Sequence, residues 1–246
     1  MAYWRAVDWQ RPWLAPYRER GQQVCQRLEH GAAVADALNA QRLERWPALS
    51  AGPLRFVAQH ELPKGEAYEA FIARSACVPT RDNLHDLFNG LVWLSFPTLK
   101  RRLNELQAEQ IAHTGIAETR GAVRDALTLF DENAALWRAP PALAAALRGR
   151  DWTALFVTRR ALWREARTLL FGHALLEKLC VPRKAITAHA WSVPMEADCE
   201  AHLAAALTPQ RLAAKDHMPL PILGVPGWWP DNETPAFYED ERVFRR

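Results

Sequence analysis

Residues 82–97 read DNLHDLFNGLVWLSFP, and how they fold sets the plan of the chain. From Leu87 to Phe96 the only polar side chains are Asn89 and Ser95. A helix that is apolar nearly all round is buried nearly all round. The stretch therefore predicts a central helix from Asp82 to about Phe96. Pro79, Thr80 and Asp82 are start signals, with Asp82 placed to cap the N–H of His85. Pro97 bends or ends this helix, or starts the next, which runs to about Ala112. His85 and Asn89 are four apart and share a face, with Trp93 one turn on, while Asp86 points about a quarter turn away. Desolvating such groups costs free energy unless each is hydrogen-bonded or ligated.

Working outward, an arm carrying Trp4, Trp9, Trp13 and two prolines leads into helical patterns around Tyr17–His30 and Ala32–Trp46. Leu54–Ala58 alternates as a short strand, and Glu66–Ala76 is a short helix. Ala122–Phe130 and Ala134–Trp137 flank the polar DENA and suggest a β-hairpin. Pro140–Arg148 is a helix, followed by a long helical region from Asp151 to before Pro182, broken near Thr158. Ala185–Val193 reads as a buried strand and Glu196–Leu207 as a helix. The segment from Pro219 onward holds five prolines and the pair Trp228-Trp229; its aromatics are costly to leave in water, so it is expected to wrap over the body. No βαβ alternation appears, which disfavours a doubly wound sheet. The expectation is an α+β protein, mostly helical with a small β-hairpin or sheet, in a single compact domain. Residues 1–14 form the arm, 15–246 the domain and 219–246 its wrapping tail.

The totals weigh against several classes. Across 246 residues the net charge is only +3, and the one dense basic run is Lys100-Arg101-Arg102. That lacks the clustering on one face that nucleic-acid binding needs. No segment of about 18 apolar residues predicts a membrane span, and the opening MAYWRAVDWQRPWL holds no apolar run of signal-peptide length. The cysteines, Cys25, Cys77, Cys180 and Cys199, are widely spaced and read as free thiols of a cytoplasmic protein.

Polar chemistry recurs in apolar surroundings at four places. His85, Asp86 and Asn89 are the first. In LLFGHALLEKL (169–179), His173 and Glu177 lie on one helical face, a spacing that presents an imidazole and a carboxylate to one metal, or lets the carboxylate orient the ring. Gly172 beside it allows close packing. In ITAHAW (186–191), alternation puts Thr187, His189 and Trp191 on one side. In RGAVRDALTLFDENA (120–134), Arg124 and Asp125 approach a turn formed by Asp131, Glu132 and Asn133. The bland readings are helix-start bridging, a core His–Glu hydrogen bond and turn chemistry. The functional reading makes His85, His173, Glu177 and His189 ligands of a divalent transition metal such as zinc, with Asp86, Asn89, Asp125 and Asp131 as catalytic or orienting groups. Phosphate-loop, nucleophile-elbow and zincin motifs are missing from the sequence.

The segments VPTRDNLHDLFNGLVWLSFP, RDALTLFDENA, LLFGHALLEKL, ITAHA and PGWWPDNETPAFYEDERVF resemble those of a bacterial family catalogued as domain of unknown function 3025, over roughly residues 15 to 245. The resemblance implies one domain and a bacterial cytoplasmic setting, and carries no activity with it. Two functions stand. One is an enzyme with a buried His/carboxylate site, such as a metal-assisted hydrolase. The other is a non-catalytic binding or interaction protein whose buried network is structural and whose Trp- and Pro-rich ends meet a partner. A metal-free enzyme with a His/Asp general base lies between them. Whether a partner is a small molecule or a protein is left open by the sequence.

Overall fold

The computed structural model describes residues 2–114 and 121–245. Arg120, at the head of the fourth stretch, lies outside them. The chain is α+β. Helices α1 (Arg18–Glu29) and α2 (Val34–Asn39) precede a two-stranded hairpin, β1 (Ala48–Leu49) with β2 (Gly52–Pro53). Strand β3 (Arg55–Ala58) runs parallel to β4 (Cys77–Thr80), with α3 (Tyr68–Ser75) between them.

The central stretch forms α4 (Leu84–Ser95), and Pro97 opens α5 (Pro97–Thr114). From Asp86 to Leu94 every residue of α4 is buried. The cap differs from expectation. Asn83 Oδ1 accepts from the Asp86 N–H at 2.8 Å, whereas Asp82 Oδ1 accepts from the Val34 N–H at 2.8 Å and ties α2 to the start of α4. The side chain one residue nearer has the reach to the N3 amide.

The hairpin expected around DENA does not form. Residues Ala122–Asn133 are helix α6, and the chain passes directly into β5 (Ala134–Arg138). Val123, Ala126, Leu127 and Phe130 follow a helical spacing, so the polar DEN is the last helical turn. The expected long helix after Asp151 is also replaced. Past α7 (Pro141–Arg148), the chain makes a π-turn at Ala154–Thr158 and a 3-10 turn at Arg160–Arg164. It then forms β6 (Arg167–Leu170) and α8 (His173–Lys178). β6 exists because it pairs antiparallel with β5, Ala135 opposite Leu170 and Arg138 opposite Arg167. β5 also pairs parallel with β7 (Thr187–Val193), which pairs antiparallel with β8 (Met218–Pro221). The order is β6-β5-β7-β8. Helices α9 (Cys199–Ala206) and α10 (Pro209–Ala213) lie between β7 and β8 in the chain.

Phe130 and Phe171 sit 5.4 Å apart at the centre, flanked by Trp191 and Phe96. Aromatic and amide side chains of the C-terminal segment pack against the rest of the chain. Phe156 stacks on Tyr238 at 4.9 Å, and buried Asn232 donates to the Leu223 and Val225 carbonyls at 2.8 Å each. Trp9 and Trp13 of the arm are buried too. All four cysteines are free thiols. Among the described residues no helix is long and apolar enough to cross a membrane.

Candidate functional site

The first turns of α4 and α8 meet the last turn of α6. α8 comes this close because Gly172 precedes it: a Cβ there would lie 2.4 Å from the Glu132 carbonyl oxygen and 2.5 Å from the Asn133 nitrogen. His173 Nδ1 faces the Asp131 backbone carbonyl at 2.9 Å. That carbonyl belongs to the last turn of α6 and has no partner within the helix. His173 Nε2 faces His85 Nε2 at 3.0 Å, and His85 Nδ1 faces Glu177 Oε2 at 3.0 Å.

Hydrogen-bond accounting assigns the protons. A carbonyl only accepts, so His173 Nδ1 carries hydrogen. Burial, with the nearby Lys100 and His85 charges, outweighs the Asp131 carboxylate and lowers the His173 pKa to about 4. The ring is therefore neutral and its Nε2 is a lone pair. His85 Nε2 then donates to it, and His85 Nδ1 faces the Glu177 carboxyl group, so His85 is held between an acidic side chain and a neutral imidazole.

A second chain of polar groups lies beneath. Lys100 Nζ bonds the Asp131 carboxylate at 2.7 and 3.0 Å and Asn89 Oδ1 at 2.8 Å. Its ammonium also stands 5.1 Å from the Trp93 ring. Asn89 Nδ2 donates to the Tyr68 hydroxyl at 3.1 Å. Burial pushes the Asp131 carboxyl up, but the Lys100 ammonium and the two histidines together take it below the usual range. Asp86 is clamped by Arg81, through its backbone N–H at 2.6 Å and through Nε and Nη2 at 3.0 Å each.

His85, His173, Asp131 and Asp86 line a cleft of about 610 Å³ whose walls also include Tyr68, Arg81, Asn89, Gln107 and Arg124, with Glu177 and Lys100 behind that lining. A larger groove of about 940 Å³ runs along α1, past Arg20, Arg27 and Arg42. It holds no buried titratable cluster, so size does not select it.

The fold brings His85, His173 and Glu177 together, with Asp131 beneath and Asp86 and Asn89 on the cleft wall. It leaves out two expected residues. Asp125 is exposed in the first turn of α6, away from the cleft. His189 stacks on His217 with ring centroids 4.1 Å apart, in a separate small cavity walled by Phe130 and Leu212. There burial, and then His217, lowers its pKa to about 4. Among the described residues no group of three or more His, Cys, Asp or Glu side chains is disposed to hold a metal ion. The four-residue ligand set is thus not assembled.

Two members were not foreseen. Lys100 reads in the sequence as the start of a surface charge run, yet it is 4% exposed. Its signal was positional: Phe96, Lys100, Leu103 and Gln107 fall on one helical stripe. Tyr68 reads as an ordinary apolar position of α3.

The family model described as Protein of unknown function (DUF3025) matches residues 54–246. All the residues lining the cleft lie within that span, whereas the arm, α1 and α2 precede it. No curated protein and no solved structure matches the chain.

Proposed function

This chain belongs to the DUF3025 family, and from that starting point we propose that the cleft is the active site of an enzyme working by general acid–base catalysis, with His85 as the proton-transfer group. One observation carries the reading: the line Glu177–His85–His173–Asp131 carbonyl, opening on a cleft through a His85 side chain that is 33% exposed. Glu177 fixes the ring and supports positive charge as it develops there during proton transfer. His173, locked as the Nδ1–H tautomer, offers a lone pair to the same proton. A substrate heteroatom entering the cleft competes with His173 for the His85 Nε2 proton. His85 then acts as general acid towards a leaving group, and as base once neutral. Hydrolysis is the simplest reaction that uses both steps. In this reading the imidazole pair does the proton work that the sequence suggested for a metal-bound water.

A screen of ester, amide and phosphoester substrates with wild type, His85→Gln and Glu177→Gln tests it. The expected result is a turnover that His85→Gln lowers by about 100- to 10,000-fold, with a smaller loss for Glu177→Gln. Turnover indifferent to His85, or none on any substrate, counts against it.

One observation favours the other reading, a non-catalytic protein with a structural network. His85, Asp86 and Asp131 each find all-protein partners. In that case His85→Gln lowers stability and nothing else. The surface argues against an apolar docking face, since Val181 is the one exposed large hydrophobic among the described residues.

A further inference from the structure

We infer that the cleft takes a small molecule bearing a carboxylate or phosphate, held by the Arg124 guanidinium. The inference rests on the cleft being the active site and names its substrate class. It starts from charges and their counter-charges. Arg81 pairs with Asp86 at 3.0 Å, Lys100 with Asp131 at 2.7 Å and His85 with Glu177 at 3.0 Å. Arg124 lines the same cleft and has no ion-pair partner among the described residues, and its buried Nε has no hydrogen-bond partner. A buried N–H without an acceptor costs free energy, and such a group in a native structure calls for an explanation. A guanidinium's planar fork of donors matches a carboxylate or a phosphate.

The other acids of the cleft do not serve Arg124. Glu69 is bound by Asn104 at 2.6 Å, and burial pushes its carboxyl up towards the neutral form. Glu132 is exposed and stands eight residues along α6, about 12 Å away on the helix axis. Gln107, buried and facing the cleft from α5, offers a further amide.

Arg124 and Asp131 stand seven residues apart on one helix, and the Asp131 carbonyl holds His173, which faces His85. Arg124, His85 and His173 line one cleft, so an acid anchored on Arg124 shares that space with the imidazole pair.

The test is a titration of the full chain with sodium phosphate and, separately, sodium acetate, with ionic strength held constant by sodium chloride. Nitrogen–proton NMR follows the arginine Nε–H signals, and the Arg124 signal is identified by its loss in Arg124→Lys. The expected result is a shift of that signal by phosphate, acetate or both, while chloride leaves it unmoved. A phosphate-only response assigns a phosphate ester and an acetate-only response a carboxylate. Arg124→Gln should weaken anion-dependent thermal stabilisation at least about tenfold, while His85→Gln keeps it. No shift with either anion, a shift that chloride reproduces, or an undiminished response in Arg124→Gln overturns the inference. Failure of the acid–base reading alone looks different: anion binding at Arg124 persists, and His85 has no effect on turnover.

Discussion

Lys100 shows how far a residue's role depends on what packs against it. Its ammonium is removed from water and offset by the Asp131 carboxylate, the Asn89 amide oxygen and the face of Trp93. Breaking one side of such a pair leaves an uncompensated buried charge. Lys100→Met should therefore destabilise the protein by about 3–5 kcal/mol. Adding Asp131→Leu should cost much less than the sum of the two single changes, because the stranded carboxylate is then gone. Urea unfolding of the two singles and the double measures the coupling, and strict additivity would show that the pair is not coupled. Asp86 is a different case: the same residue type, held by Arg81, is fully occupied in bracing the start of α4. Its acidity was legible in the sequence and its engagement was not, because Arg81 could as well have pointed into solvent.

At the scale of elements, the junction of β6, α8 and α6 builds the site. Gly172 lets the backbone entering α8 touch the backbone leaving α6, and this contact sets His173 against the Asp131 carbonyl. A methyl group there meets main-chain atoms, which cannot rotate away. Gly172→Ala should cost about 2 kcal/mol or more and should shift the His173 side-chain NMR signals. Unchanged signals with unchanged stability would mean that the junction relaxes freely. The helical spacing of α6 was visible in Val123, Ala126, Leu127 and Phe130, but the acidic DEN imitates a turn. β6 had no such signal. Arg167–Leu170 becomes a strand only because β5 lies beside it, and pairing of that kind is non-local.

For the whole molecule, buried imidazoles couple stability to pH. The His173 pKa falls from 6.5 to about 4, and His189 moves in the same direction. Between these values the unfolded chain binds protons that the native rings refuse, so stability rises with pH. It is complete above pH 6.5 and is lost as pH falls towards 4. For His173 alone the loss at pH 5 is about 2 kcal/mol. Urea midpoints from pH 7 to 5 should fall in wild type and fall less steeply in His173→Gln. Parallel profiles would mean that His173 is not the group responsible.

The sequence by itself determined what depends on neighbours along the chain. The buried α4 follows from its all-round apolar surface, the start of α5 from Pro97 and the β7 strand from alternation. It also marked His85, His173 and Glu177 as polar groups in need of partners. Only the tertiary structure decided which partners they found. Two helices and a glycine junction bring those three side chains into one line, while His189 is held in a separate cavity with His217. Buried charge requires compensation, which sequence alone can state. Which charge supplies it depends on distance through space, and that is settled only when the chain has folded.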